Sequence, residues 1–277
     1  MAATTSATVG GLLRQWRVRR RMSQLDLALA AEVSARHLSF LETGRAQPSR
    51  QMLLLLASVL EVPLRERNAL LHAGGFAPVY RESALDDPAL AGILHALELI
   101  LRQHEPLGAV ALDRHWNVVM VNAAYARFLG LLATAVEVPE PFTLAPPPRL
   151  NALRLLFDPA GVRSHLVNWE AVAREVLGRV HREAVRSGDH EVQALLEELL
   201  AAPGVPAGWR EPDLESAPAL VLPVELRVGE CTARFFTTLT TLGAPLDVTL
   251  EELRIESFHA ADTDTEALMR GLAEAGR

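Results

Sequence analysis

Between Ser23 and Ser49 the apolar residues Leu27, Ala31, Val33, Leu38 and Leu41 fall where two helices joined by a short turn must meet. Separations of three and four residues place side chains on one helix face, so the stretch predicts two short helices meeting through a tight turn at Val33-Ser34. Ser23 stands before the first run with Asp26 three residues on, the spacing of a capping box. Ser34 is placed to cap the second helix, which runs to about Glu42 and stops at Thr43-Gly44, where glycine accepts the left-handed backbone of a helix end. Ala28 is small where the two helices cross. Upstream, Gly10 to Arg21 predicts a helix with Leu12, Leu13 and Trp16 inward. Downstream, RQMLLLLASVL after Pro48-Ser49 and LRERNALLHAGG after Pro63 predict two more. Five helices over residues 8–76 make a bundle with its own core, and 77–87 reads as linker.

From Asp86-Asp87-Pro88 the pattern changes. Ala89 to Gln103 is amphipathic with helical spacing, and GAVALDRHWNVVMVN is two β-rich runs around Asp113-Arg114-His115, a hairpin. Asn122 is placed to cap AAYARFLGLLATA, and the prolines from Val138 to Pro148 exclude regular structure. Helices are predicted over 150–157, 168–187 and 191–201, with 204–218 irregular. Three strands follow, and the first pair forms a hairpin at Gly229-Glu230. Leu220, Leu222, Val224, Leu226 and Val228 alternate inward on one; Ala233, Phe235, Thr237 and Leu239 on the next; Leu253, Ile255 and Ser257 on the third. The expected class is α+β: an all-α five-helix bundle joined, over residues 88–277, to a sensor domain of PAS type with an antiparallel sheet.

Charge sharpens this division. The chain has a net charge of -7, which alone argues against a nucleic-acid binder. Residues 1–75 hold ten Arg against five acids, an excess of five positive charges, so the remainder carries −12. A basic first quarter on an acidic body fits a DNA-reading module joined to a part that does not touch DNA. All 27 basic residues are Arg, which suits bidentate contacts to phosphate or guanine. The lone cysteine, Cys231, excludes an intramolecular disulfide. With no apolar run of membrane length and no signal-peptide pattern at the start, a cytoplasmic protein without a membrane partner is expected.

Ser23-Gln24, Val33-Ser34, Leu41-Glu42-Thr43-Gly44-Arg45 and Pro48-Ser49 together resemble the helix-turn-helix of XRE-type bacterial regulators. One departure is Glu32, where that turn usually carries Gly; it would need a positive φ or a different turn. HLSFLETGRAQPSR, PLRERNALLHAGGFAPVYRE, DRHWNVVMVNAA, Asn168-Trp169-Glu170 and LTTLGAPLDVTLEELRIESF extend the resemblance to regulators with an MmyB-like ligand-binding domain, across nearly all of the chain. The resemblance implies an N-terminal domain that binds a double-stranded DNA operator. It implies a PAS-like C-terminal domain that binds a small apolar ligand, with fatty acids the leading class.

Candidate sites follow. Ser23, Gln24 and Ser34 sit at helix starts, which meet phosphates readily. Ala35, Arg36, Ser39 and Phe40 occupy the outer face of the second helix, with His37 at its border. Arg36 can reach guanine bidentately and Ser39 can read several bases, while Phe40 either meets a thymine methyl or packs on the fourth helix. Arg45, Ser49 and Arg50 flank this helix as backbone contacts, and Glu42 is expected to hold Arg45 or Arg36. The run Arg14, Arg17 and Arg19-Arg20-Arg21 is either a solvated face or a phosphate contact. Candidate ligand walls are Phe128, Leu132, Trp169, Val172, Val176, Phe235 and Leu239. Arg127, Arg154 or Arg163 would pair with a ligand carboxylate, Arg154 above all because Leu153, Leu155 and Leu156 surround it.

No catalytic constellation emerges. There is neither a Gly-rich phosphate loop nor a Gly-x-Ser-x-Gly elbow. His181, Glu183 and His190 lack metal-ligand spacing, and Asp113-Arg114-His115 sits in a turn, where Asp is common for turn reasons. The expectation is a non-enzymatic, ligand-responsive homodimeric regulator with no metal or cofactor beyond a bound fatty acid. Two rivals remain: a module that grips a partner polypeptide with the helical bundle, and an enzyme whose DNA-binding unit is autoregulatory.

Overall fold

The computed structural model describes residues 8–211 and 221–275, so Leu220 and the part 212–218 of the irregular stretch before it lie outside the described residues. The chain divides into two compact units. One runs through Ala84 and takes in Gly243–Glu251; the other is Leu85–Leu242 with the chain from Glu252 onward.

The first unit holds α1 (Val9–Arg19), α2 (Gln24–Ala30), α3 (Ala35–Glu42), α4 (Arg50–Val59) and α5 (Leu64–Ala73). Serine and threonine hydroxyls start four of them: Thr8, Ser23, Ser34 and Ser49 each accept a backbone N–H from the following turn. Ser23 and Asp26 complete a reciprocal capping box. The turn between α2 and α3 is made by Glu32 at φ 55, with Val33 N–H donating to the Ala28 carbonyl at 2.9 Å. Leu13, Trp16, Leu27, Leu38, Leu41, Leu56, Leu60 and Leu71 form one fully buried core. α1 comes so close to the end of α3 that a Cβ on Gly10 would overlap the carbonyls of Leu41 and Glu42.

Residues 77–84, expected as linker, are instead fastened to this unit. The Asn68 side chain accepts from Val79 and Tyr80 N–H and donates to the Tyr80 carbonyl. Ser83 donates from both N–H and Oγ to Asp247 in the segment Gly243–Glu251.

The second unit holds α6 (Ala91–Gln103), β1 (Ala109–Leu112), β2 (Val118–Val121), α7 (Ala123–Leu132), α8 (Ala152–Phe157), α9 (Trp169–Ser187), α10 (His190–Leu200), β3 (Val224–Val228) and β4 (Cys231–Thr241). A short helix α11 (Val248–Glu251), which belongs to the first unit, interrupts it before β5 (Arg254–Ala260) and α12 (Thr263–Ala275). The five strands form one antiparallel sheet in the order β2-β1-β5-β4-β3. The α+β class with a PAS-like sheet is therefore as the alternation implied. The closing helix α12 is an addition to the three expected last elements. Among the described residues no helix is long and apolar enough to cross a membrane.

Candidate functional site

The first unit presents α3 with Leu38 and Leu41 inward and Arg36 exposed. Arg36 lies over the Phe40 ring, its Cζ 5.4 Å from the centroid, so Phe40 supports the guanidinium from the next turn of the same helix. Ala35, His37, Ser39 and Phe40 are half-exposed, and Ser34, Arg45, Ser49 and Arg50 are exposed around them. Ser34 and Ser49 already spend their hydroxyls on capping, which leaves free N–H groups at the same helix starts for an anion.

Three residues read as DNA contacts or their supports are occupied differently. Arg17 is buried and forms a bidentate pair with Glu42, at 2.6 and 2.8 Å. Gln24 donates its amide to the same carboxylate at 2.8 Å. Glu42 thus holds α1 and α2 to α3, and neither Arg36 nor Arg45. No local spacing signals this choice, because Arg17 lies 25 residues away along the chain. Burial pushes the Glu42 carboxyl up, but the hydrogen bonds from Arg17 and Gln24 and the Arg17 charge outweigh it and hold it below its usual range.

The second unit encloses a largely apolar cavity of about 340 Å³ between the sheet and α7, α8, α9 and α12, within the range of small-molecule sites. Phe128, Leu132, Val172, Val176 and Phe235 line it. Trp169, Leu239 and Arg154 do not. Trp169 packs edge-on against Phe157 at 5.0 Å and donates to the Gly204 carbonyl, outside the cavity. Leu239 lies on the same face of β4 as Phe235 and Thr237 but beyond the cavity, and is 41% exposed. Alternation fixes the face of a strand, not how far along it a cavity extends. Arg154 projects from the exposed side of α8 and pairs with Glu198 at 2.9 Å, since its leucine neighbours in sequence point to other faces of the helix. Arg127 pairs with Glu105 and Arg163 lies over Trp169, so neither reaches the cavity wall.

Polar groups gather on the wall instead at Tyr125, Thr237, Glu256 and Arg179, with Glu175 beside them. Trp116 closes this end. It holds φ 66, a costly conformation for a bulky side chain, in the turn between β1 and β2. The neighbouring Asp113 explains why the turn forms, its carboxylate accepting N–H bonds from His115 and Asn117. Arg254 covers the Trp116 ring at 4.4 Å and is itself bound by Glu183 at 2.6 and 3.0 Å. Burial pushes the Glu256 carboxyl up despite the Arg179 charge and the Thr237 hydrogen bond, and pushes the Tyr125 hydroxyl up as well. Alternation would have turned Glu256 to water on a half-buried strand. On β5, in the middle of the sheet, that face lines the cavity.

His181 stacks edge-on with Trp209, and Glu183 serves Arg254 and the Trp116 indole. Among the described residues no three His, Cys, Asp or Glu side chains are grouped to hold a metal ion. Residues 93–272 match the family model described as MmyB-like transcription regulator ligand binding domain, and residues 13–67 match one described as helix-turn-helix. No curated protein matches the chain.

Proposed function

Because the chain belongs to the family of MmyB-like transcription regulators, with a helix-turn-helix ahead of the ligand-binding domain, we propose that it reads one operator sequence as a homodimer and that a fatty-acid-like ligand in the cavity sets its affinity for that operator. The observation that carries this reading is the joining, in one chain, of an exposed Arg36 face on α3 to a cavity walled mainly by aliphatic and aromatic side chains. A recognition helix enters the major groove of a half-site, and two half-sites stand about one helical turn apart, so a dimer matches its operator only at one relative placement of its two helices. A ligand that favours one placement changes affinity by its differential binding to the two arrangements. The basic charge of residues 1–75 favours DNA over an acidic-bodied protein's usual partners.

Operator selection from random duplexes with the purified full chain, followed by titration at several salt concentrations, tests this. A single enriched sequence, a steep fall of affinity with salt, and a shift on adding long-chain acyl compounds are the expected results. Binding to a polypeptide partner with a flat salt response, and no enriched duplex, would support the helical bundle as a protein-binding module instead.

A further inference from the structure

The acyl-ligand reading leaves open which residue meets the polar end of the ligand. Arg127, Arg154 and Arg163 do not reach the cavity wall, and among the described residues one arginine does: Arg179, on α9. Val172, Val176 and Arg179 recur at helical spacing, so a single face of α9 carries first the apolar wall and then a positive charge.

That charge has no protein counter-ion. Among the described residues the Arg179 guanidinium makes no hydrogen bond and no ion pair; its ring contact is with Trp116, Cζ to centroid 5.9 Å, at the end of the cavity that Trp116 closes. The charges around it are engaged elsewhere. Glu175 pairs with Arg182 at 3.4 Å. Arg254, over the same Trp116 ring, is bound by Glu183 at 2.6 and 3.0 Å. Glu256 lies within the field of Arg179 but accepts from Thr237 and forms no ion pair with the guanidinium. Tyr125, on α7, adds a hydroxyl to the wall that likewise has no protein partner among the described residues.

A guanidinium fork matches the two oxygens of a carboxylate, and an enclosed site strengthens such charge-assisted hydrogen bonds relative to water. Resting on the acyl-ligand reading above, we propose that Arg179 pairs with a terminal carboxylate of the ligand and so selects acids over their uncharged and cationic analogues. The Tyr125 hydroxyl supplies a neutral donor on the same wall. The alkyl chain then lies against Val172, Val176, Phe128 and Phe235. A carboxylate fits better than a phosphate, because it sets one negative charge against one guanidinium. A second negative charge would stand beside Glu256 with no cation to meet it.

The test uses the purified full chain and four twelve-carbon probes: dodecanoate, dodecanamide, dodecylamine and dodecyl phosphate, compared by calorimetric titration at pH 7.5. Dodecanoate is expected to bind about tenfold or more tighter than each of the others, the scale of a hydrogen bond to a charged group. In Arg179→Met that preference over dodecanamide should vanish while dodecanamide itself binds as before, which also reports an intact cavity. Arg179→Gln gives the same reading should Arg179→Met not fold, and Arg179→Lys, which keeps the charge without the fork, should retain part of the preference. Equal binding of dodecanoate and dodecanamide overturns the proposal and leaves the acyl-ligand reading standing. So does tighter binding of the phosphate, a preference unchanged in Arg179→Met, or an equal loss of both probes there. Absence of binding by all four probes overturns both.

Discussion

Arg17 and Glu42 are joined by two hydrogen bonds of 2.6 and 2.8 Å, the last turn of α1 to the last residue of α3, inside the helix-turn-helix rather than on its DNA-facing surface. Removing one partner leaves the other charge buried without compensation. Arg17→Ala is expected to cost about 3–5 kcal/mol, whereas the double change Arg17→Met with Glu42→Leu should cost much less, since neither charge is stranded. Hydrogen exchange of α1 and α3 amides in the full chain measures both. The sign with pH follows from the depressed Glu42 carboxyl. Its stabilisation is complete above the unfolded value of 4.5 and is lost as pH falls through the lower folded value. Loss on raising the pH toward neutrality would contradict this assignment.

DNA recognition separates two arginines that look alike in sequence. Arg36 is exposed on α3 and braced over Phe40, while Arg45 lies past the end of that helix. Arg36→Ala should cost about 1–3 kcal/mol on the matched operator and relax preference at one base pair. Arg45→Ala should weaken matched and mismatched duplexes alike and flatten the salt dependence. Unchanged discrimination in Arg36→Ala would remove it from the recognition surface.

The turn between α2 and α3 carries avoidable strain. Glu32 sits at φ 55 where the left-handed conformation costs a side-chain-bearing residue about 1–2 kcal/mol. Glycine would relieve that strain but lose about 0.5–1 kcal/mol more backbone entropy on folding. Glu32→Gly is therefore expected to stabilise the helix-turn-helix by roughly 0.5–1 kcal/mol, read as a raised melting temperature. Destabilisation would mean that the Glu32 side chain contributes a contact outweighing the strain.

α5 starts at Pro63, which offers no side-chain cap, and the Leu64 N–H donates instead to Glu251 Oε2 at 2.7 Å. A cap supplied from the far end of the chain should behave like a local one. Glu251→Ala is expected to cost about 0.5–2 kcal/mol and to speed exchange of the first α5 amides selectively. Uniform loss of protection across the second unit would show a different role.

These cases mark what the pattern of residues can carry. Helices, caps and strand faces were legible because each depends on residues within a turn or two: Ser23 with Asp26, Ser34 before Ala35, Asn122 before Ala123. At Glu32 the family resemblance left a positive φ or a different turn, and the positive φ is what the chain adopts. Pairings across long stretches were not legible. Glu42 could have met several arginines, and only the packing of α1, with Gly10 against the end of α3, brings Arg17 to it. The same limit hid the polar wall of the cavity, since Tyr125 on α7 and Glu256 on β5 come to one cavity only in the folded chain. α12 was within reach, as Leu268, Met269 and Leu272 recur at helical spacing in TDTEALMRGLAEA.

The cavity itself supports a prediction about length. Its wall at Phe128, Leu132, Val172, Val176 and Phe235 is apolar, and each methylene moved there from water gains about 0.8 kcal/mol before ordering and association losses. Stabilisation of the full chain should therefore rise steadily along a homologous series of saturated fatty acids. It should stop when the space of about 340 Å³ is filled, because further carbons must displace close-packed side chains. Placing bulk on the wall should shorten the optimum: Val176→Trp is expected to abolish the response to the longest chains while the shortest still bind. Leu239→Trp serves as the contrast, since Leu239 is 41% exposed and lies off the wall, and it should leave the length profile as it was. Melting temperature against chain length for the three proteins decides the matter. A profile flat in chain length, or one shifted by Leu239→Trp and not by Val176→Trp, would place the ligand elsewhere.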